Sequence, residues 1–186
     1  MNKPKLYMLM LGCTPKGRLT EQHDVFFGIA ESLLHLVPSL NAFWSEANGK
    51  LHIDAWQEVT MVEGHEVKVV TAAEEVINDA QLFFINLGGY VKGSFDEAHF
   101  KMLLAAPTKA EAIRQAKETK FYKNAGFSGA TSHIDDKYGV DVDDIFEIND
   151  VLSKDIKSEF KLKLTKSSSN KQDEMHLGYL PLANLS

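Results

Sequence analysis

Short apolar runs alternate along this chain with polar breaks that carry glycine or proline. Residues 5–11 (KLYMLML) form a near-continuous apolar run ended by Gly12, the pattern of a central, buried strand. Residues 13–19 hold Pro15 and Gly17 and predict a loop. The next run, with Val25, Phe26, Phe27 and Ile29, suits a helix or a strand on its pattern alone. A similar run downstream arbitrates. Phe100 to Ala106 leads into Pro107-Thr108-Lys109-Ala110-Glu111, where Thr108 and Glu111 make a capping box. A helix therefore begins there, and the run before it is a separate, extended element. By transfer, Asp24–Ala30 is a strand and Ser32 caps a helix reaching about Trp44. That helix places Leu33, Leu36, Val37, Leu40 and Phe43 on one face, with Pro38 bending or interrupting it. Its counterpart, Lys109 to about Tyr122, buries Ala112, Ile113, Ala116 and Phe121.

The recurrence extends to residue identities. Leu6–His23 (LYMLMLGCTPKGRLTEQH) and Leu82–His99 (LFFINLGGYVKGSFDEAH) match at seven of eighteen positions at a constant offset of 76. Ordinary composition predicts roughly one such match, so the pattern reads as an internal duplication. A second block, Leu51-His52-Ile53-Asp54-Ala55-Trp56, aligns with Ser132-His133-Ile134-Asp135-Asp136-Lys137 at an offset of 81, as do Val59/Val140, Glu66/Glu147 and Val70/Val151. The change of offset implies five extra residues, for which Gly126–Ser132 offers room. Gly64 and Gly139 mark turns before last strands at about 65–70 and 144–149.

The expected architecture is α+β: two tandem β-β-α-β-β repeats related by an approximate two-fold, mostly antiparallel sheets with helices on one face. The expected boundaries are 1–70 for the first repeat, 71–80 for a short helical connector, 81–151 for the second repeat and 152–186 for a tail packed on the sheets. In the tail, Phe160, Leu162 and Leu164 alternate with polar residues as in an amphipathic strand. Ser167–Asp173 reads as a mobile polar loop, and His176–Leu182 as a returning strand.

Composition narrows the function classes. A net charge of −6 and a pI near 5.6 disfavour nucleic-acid binding, which needs a basic surface. No apolar run approaches the ~20 residues of a membrane span. The opening run, Leu6–Leu11, is shorter than the ~7–15 residues of a secretory signal core and recurs inside the chain. The single cysteine, Cys13, excludes an intramolecular disulfide and suits a cytoplasmic setting. Partners consistent with this profile are a small molecule and a second copy of the chain.

With both blocks in view, the chain resembles a bacterial family of unknown function, domain of unknown function 1543. The resemblance is carried by Leu11-Gly12 to Lys16-Gly17, Glu21-Gln22-His23-Asp24, Phe43-Trp44, His52-Ile53-Asp54-Ala55-Trp56, Leu82 through Tyr122, and His176–Leu182. It implies one or two copies of the domain per chain, here two in tandem, and no particular activity, substrate or cofactor. The second copy departs from the first: Gln22 and Asp24 become Ala98 and Phe100, and Trp56 becomes Lys137.

The candidate chemistry lies in the repeated blocks. Glu21 and His23 are two apart at a loop-to-strand junction and share a face if it is extended. His52, Asp54 and Trp56 share a strand face by the same rule. Brought together, Glu21, His23, His52 and Asp54 would supply two imidazoles and two carboxylates. That set can run general acid–base chemistry or bind a divalent metal, and it can equally form a purely structural hydrogen-bonded network. Lys16-Gly17 could hold an anion, or Gly17 could simply serve a hairpin turn. Asp24 adds an acid beside His23, and Trp56 an aromatic wall. The second-copy equivalents are Lys92, Gly93, Glu97, His99, His133 and Asp135. Cys13 reads as a packing residue, and Asp141, Asp143 and Asp144 as a solvated strand face. Three readings follow: a module binding a small anionic ligand, a hydrolase- or isomerase-type enzyme with or without a metal, and a structural or assembly protein.

Overall fold

The computed structural model describes residues 3–90, 92–124, 126–127, 130–131, 133–134 and 145–185. The chain begins with strands β1 (Lys5–Cys13) and β2 (Gln22–Ala30), a 3-10 turn (Leu33–Leu36), helix α1 (Val37–Phe43) and a second 3-10 turn (Ser45–Ala47). Strands β3 (His52–Glu58), β4 (Met61–Val62), β5 (His65–Thr71), β6 (Gln81–Tyr90) and β7 (Glu97–Ala106) follow. Next come helices α2 (Lys109–Lys117) and α3 (Lys120–Asn124) and short strands β8 (Gly126–Phe127), β9 (Ala130–Thr131), β10 (His133–Ile134) and β11 (Ile145–Glu147). The chain closes with α4 (Ile148–Val151), α5 (Lys154–Glu159), β12 (Phe160–Lys166), β13 (His176–Pro181) and a 3-10 turn (Leu182–Asn184). All pairings among the described strands are antiparallel. The fold is a mixed α+β one with few helices. Two compact units divide it: residues 1–76 with 152–186, and residues 77–151.

The first unit holds a four-stranded sheet ordered β13-β3-β1-β2. Alternation along β1 sends Tyr7, Leu9, Leu11 and Cys13 to one face, where they bury with Leu36, Leu40, Ala47, Leu51 and Ile53. Gly12 lies on the other face. The run at Asp24–Ala30 is extended, as the transferred pattern predicts. The helix expected over Leu33–Trp44 is divided. Pro38 sits in the first turn of α1, where its missing N–H costs nothing, and the residues before it wind as a 3-10 turn. Only Leu36 and Leu40 of the predicted face are fully buried, and Phe43 is 46% exposed, edge-on to Phe26. Ser32 occupies the cap position without a side-chain cap bond.

A second sheet in this unit, ordered β12-β5-β4, shows what the tail does. β12 pairs along all of β5, burying Leu162 and Leu164 with Val67 on that unit's interior side. The loop after β12 is tied at both of its ends. The Ser167 amide donates to the Gly64 carbonyl at 2.7 Å. The Asp173 carboxylate accepts from the amides of Thr60 at 2.7 Å and Met61 at 3.0 Å, and from the Thr60 hydroxyl. The expected helical connector is also absent: residues 72–80 form turns and irregular backbone. So short an isolated helix is marginal in water, and Ile77, its largest apolar residue, is 90% exposed.

In the second unit β6 is central, with β7 on one side and β10 and β11 on the other. Thr108 Oγ1 accepts from the Glu111 amide at 3.2 Å, so the predicted cap forms. The Glu111 carboxylate turns instead to Arg114 and Gln115, leaving the capping box half made. The single helix expected to Tyr122 is broken into α2 and α3, which still bury Ala112 and Ala116 and pack Ile113 and Phe121 on the core.

Strand registers correct the alignment of the second block. In the first unit, Gly12 faces His52, Leu11 faces Ile53, Leu9 faces Trp56 and Tyr7 faces Glu58. In the second, Gly88 faces His133, Leu87 faces Ile134, Ile85 faces Ile145 and Phe83 faces Glu147. The offset of 81 therefore holds at His133-Ile134 and rises to 89 at Ile145, with eight more residues between. Ile145, not Lys137, occupies the register position of Trp56, and Glu147 that of Glu58 rather than Glu66. The strand expected over 144–149 ends at Glu147, where α4 begins. Asp135, Lys137, Gly139, Val140, Asp141, Asp143 and Asp144 lie outside the described residues.

Candidate functional site

Gly12 is the floor of the site. His23 on β2 and His52 on β3 face it from either side in register. Neighbouring strands lie about 4.8 Å apart, so the two histidine backbones straddle a strip one strand wide. A side chain on Gly12 would fill that strip: a Cβ there would fall inside contact distance of His52 Nε2 and Asp54 Oδ2. The glycine lets imidazoles from two strands meet over the third.

Asp54 joins them through a β-bulge. Met10 faces Ala55 and Leu11 faces Ile53, so Asp54 is the extra residue on β3. Its carboxylate reaches across Gly12 toward β2, with Oδ2 at 3.2 Å from His23 Nε2 and Oδ1 at 3.4 Å from His52 Nε2. Glu21, just before β2, reaches the opposite way. Its Oε1 is 3.0 Å from His52 Nε2 and its Oε2 is 3.5 Å from His23 Nε2. Each carboxylate thus spans both imidazoles with one oxygen apiece. The ligand atoms of Glu21, His52 and Asp54 all lie within 4.8 Å of one another. His52 is buried, Asp54 half-buried, and Glu21 and His23 are open to solvent. Close as they are, His52 Nε2 and Asp54 Oδ2 are buried without an aligned hydrogen-bond partner among the described residues.

The bulge also removes Trp56 from this group. With Asp54 inserted, Trp56 falls opposite Leu9 on the core face, away from Gly12. There its ring stacks on His176, centroids 3.9 Å apart, and lies 6.2 Å from Tyr7. Strict alternation, which put His52, Asp54 and Trp56 on one face, fails for this reason. Asp24 is likewise on the other face of β2, opposite Leu11, where its carboxylate accepts from the Val25 amide at 2.7 Å. Lys16 is exposed in a turn closed by the Arg18 amide on the Pro15 carbonyl. Gly17 takes the third position of that turn at φ +84°, and Gly93 adopts φ +88° beside an exposed Lys92. The turn accounts for Gly17, and the positive φ for glycine at 93. Cys13 is fully buried on the core face, and burial pushes its thiol up despite the opposing charge of Lys50.

One wall of the site lay beyond sequence reasoning. The Tyr179 ring lies against His52, centroids 4.3 Å apart, while remaining 69% exposed. A bulge in β13 between Leu177 and Leu180, with Gly178 at φ +135°, delivers it there. Gly178 inside the apolar run His176–Leu182 was the available signal, since a glycine within a strand often marks a bulge.

Residues 18–69 match a family model described as Domain of Unknown Function (DUF1543). All four clustered residues fall inside that match. No curated protein matches the sequence. Among solved structures, the fold is similar to the crystal structure of a protein Il1583 from Idiomarina loihiensis. The two superpose with a TM-score of 0.57 over 97% of this chain and 99% of that one. At 18% identity the likeness is one of fold. No described helix is long and apolar enough to cross a membrane.

Proposed function

We propose that this chain holds a divalent transition metal with Glu21, His23, His52 and Asp54, and presents it to a small anionic ligand. The observation that carries this reading is the convergence of two imidazole nitrogens and two carboxylates over Gly12, with two buried atoms that no aligned hydrogen bond satisfies. A structural network would leave each such atom at a cost of about 1–3 kcal/mol. A cation at their centre would satisfy both. Neutral imidazoles with two carboxylates also balance the charge of a divalent ion, and this nitrogen–oxygen set suits zinc, iron or manganese better than thiolate-seeking copper(I).

Solvent exposure of Glu21 and His23 would leave the ion open on one side. Water or an anionic group of a small molecule could take the open positions, beside the Tyr179 ring. An open position is also what metal-assisted hydrolysis needs, so the enzyme reading differs only in what happens to the ligand. We further read the chain as two tandem copies of one domain. The support is the repeated register, in which a glycine at one strand position faces a histidine on each side in both units.

Metal analysis of protein purified without a histidine tag tests the proposal. Chelated protein should take up Zn2+, Mn2+ or Fe2+, and His23→Ala with Asp54→Ala should abolish uptake at this site. Retained binding at this site in the folded double variant would overturn the reading, as would no uptake of any of these ions by the unmodified protein.

A further inference from the structure

We infer that the ligand of the metal site is a monocarboxylic acid with an aromatic or aliphatic body, its carboxylate on the open side of the ion and its body against Tyr179, Leu177, Ala55 and Met10. The inference rests on the metal reading of Glu21, His23, His52 and Asp54 and names the class of molecule that this site takes.

Strand register sets an apolar row beside the cluster. Met10 lies two residues before Gly12 on β1 and shares its face, about 7 Å along the strand. Met10 faces Ala55 on β3, and Ala55 faces Leu177 on β13. Directly opposed residues of an antiparallel pair share a face, so the three form a row on the face that carries the cluster. Met10 and Ala55 are half-buried, and Leu177 is 74% exposed. Tyr179 joins this row to the cluster. Leu177 faces Ala55 and Leu180 faces Ile53, so Gly178 and Tyr179 stand opposite the single bulged residue Asp54. Gly178 takes φ +135°, a value few side chains tolerate, and the Tyr179 ring reaches His52. One exposed leucine is ordinary. Here a leucine and a tyrosine ring extend a half-buried apolar row that ends at two imidazoles and two carboxylates. A molecule reaching from the ion to the row would cover both exposed side chains.

Charge selects the head group. Two carboxylates and two neutral imidazoles already balance a divalent ion, and among the described residues no lysine or arginine pairs with Glu21 or Asp54. A doubly charged phosphate would meet those carboxylates with no paired cation to offset its second charge, whereas a carboxylate brings only one.

NMR titration of the Zn2+-loaded protein with phenylacetate, hexanoate, acetate and phenyl phosphate tests this. Phenylacetate and hexanoate should each bind at least about tenfold tighter than acetate, the return on burying a few apolar carbons. In Tyr179→Ala with Leu177→Ser that advantage should be lost. Equal affinities for acetate and phenylacetate in a protein that holds its ion would overturn the inference and leave the metal reading standing. So would an undiminished advantage in the folded double variant, or tighter binding of phenyl phosphate than of phenylacetate. A dimer that dissociates in the double variant would assign these side chains to a second copy of the chain and overturn the inference as well. No uptake of Zn2+ would overturn both readings. Should the double variant fail to fold, the unmodified loaded protein decides. Its Tyr179 ring signals should shift further with phenylacetate than with acetate, and equal shifts overturn the inference.

Discussion

Gly12 faces His52 across the β1–β3 pair, and a Cβ on Gly12 would collide with the His52 ring nitrogen and with Asp54 Oδ2. The glycine is there for space, not for an unusual backbone angle. Gly12→Ala should therefore displace both side chains at a cost of about 1–3 kcal/mol, the usual range for overpacking. It should also erase any rise in melting temperature that Zn2+ gives the unmodified protein. Thermal melts with and without the ion check this, and an undiminished rise in Gly12→Ala would count against the site.

Tyr179→Ala should separate binding of the ion from binding of its ligand. The ring lies against His52 and is not one of the four clustered groups. Metal content should stay at the unmodified level, whereas any metabolite that raises the melting temperature of the loaded protein should bind more weakly. Loss of the ion itself would show that the ring instead holds His52 in position.

Asp173 ties the loop after β12 to the turn at Thr60–Met61 through two amides and a hydroxyl. Hydrogen bonds to a charged group contribute about 1.5–3 kcal/mol when well shielded, and this group is half-open to solvent. Asp173→Ala should cost about 2 kcal/mol or less. Amide exchange at Thr60 and Met61 should quicken, and unchanged protection there would refute the tether.

The Cys13 thiol, raised by burial, should resist alkylation in the folded protein at neutral pH and react fully once denaturant is added. Rapid labelling of the native state would show that the core face of β1 opens to solvent.

Glu111 is held down to about 2 by its hydrogen bonds to Arg114 and then Gln115. A carboxyl depressed in the folded state stabilises it above the unfolded value of about 4.3, and that contribution is lost as pH falls toward 2. The pair is exposed, so the effect on stability should be small and weakened by salt. NMR titration should show the low value in the native protein and its return to the ordinary carboxylate range in Arg114→Ala.

The sequence by itself determined the local facts. The apolar run closed by Gly12, the alternation of Phe160, Leu162 and Leu164, and the Thr108 cap each depend on neighbours within one turn or one strand. The same is true of Glu21 with His23 and of His52 with Asp54, which two-residue spacing placed in pairs. Tertiary structure decided how those pairs meet. Period-two reasoning fails at the bulge, because one extra residue reverses the phase of everything after it. Thus Asp54 crosses toward His23, whereas Trp56 turns to the core. No residue type marks that insertion, which exists only relative to the partner strand β1. The alignment of Trp56 with Lys137 failed for a related reason. Identities at a constant offset ignore inserted residues, and the pairing of β11 with β6 shows Ile145 opposite the strand position that Trp56 faces in the first unit. Strand partners far apart in sequence, β12 with β5 and β13 with β3, were likewise invisible, since hydrogen-bonding backbone carries no sequence signature of its partner. The Tyr179 wall over His52 is a product of that long-range pairing.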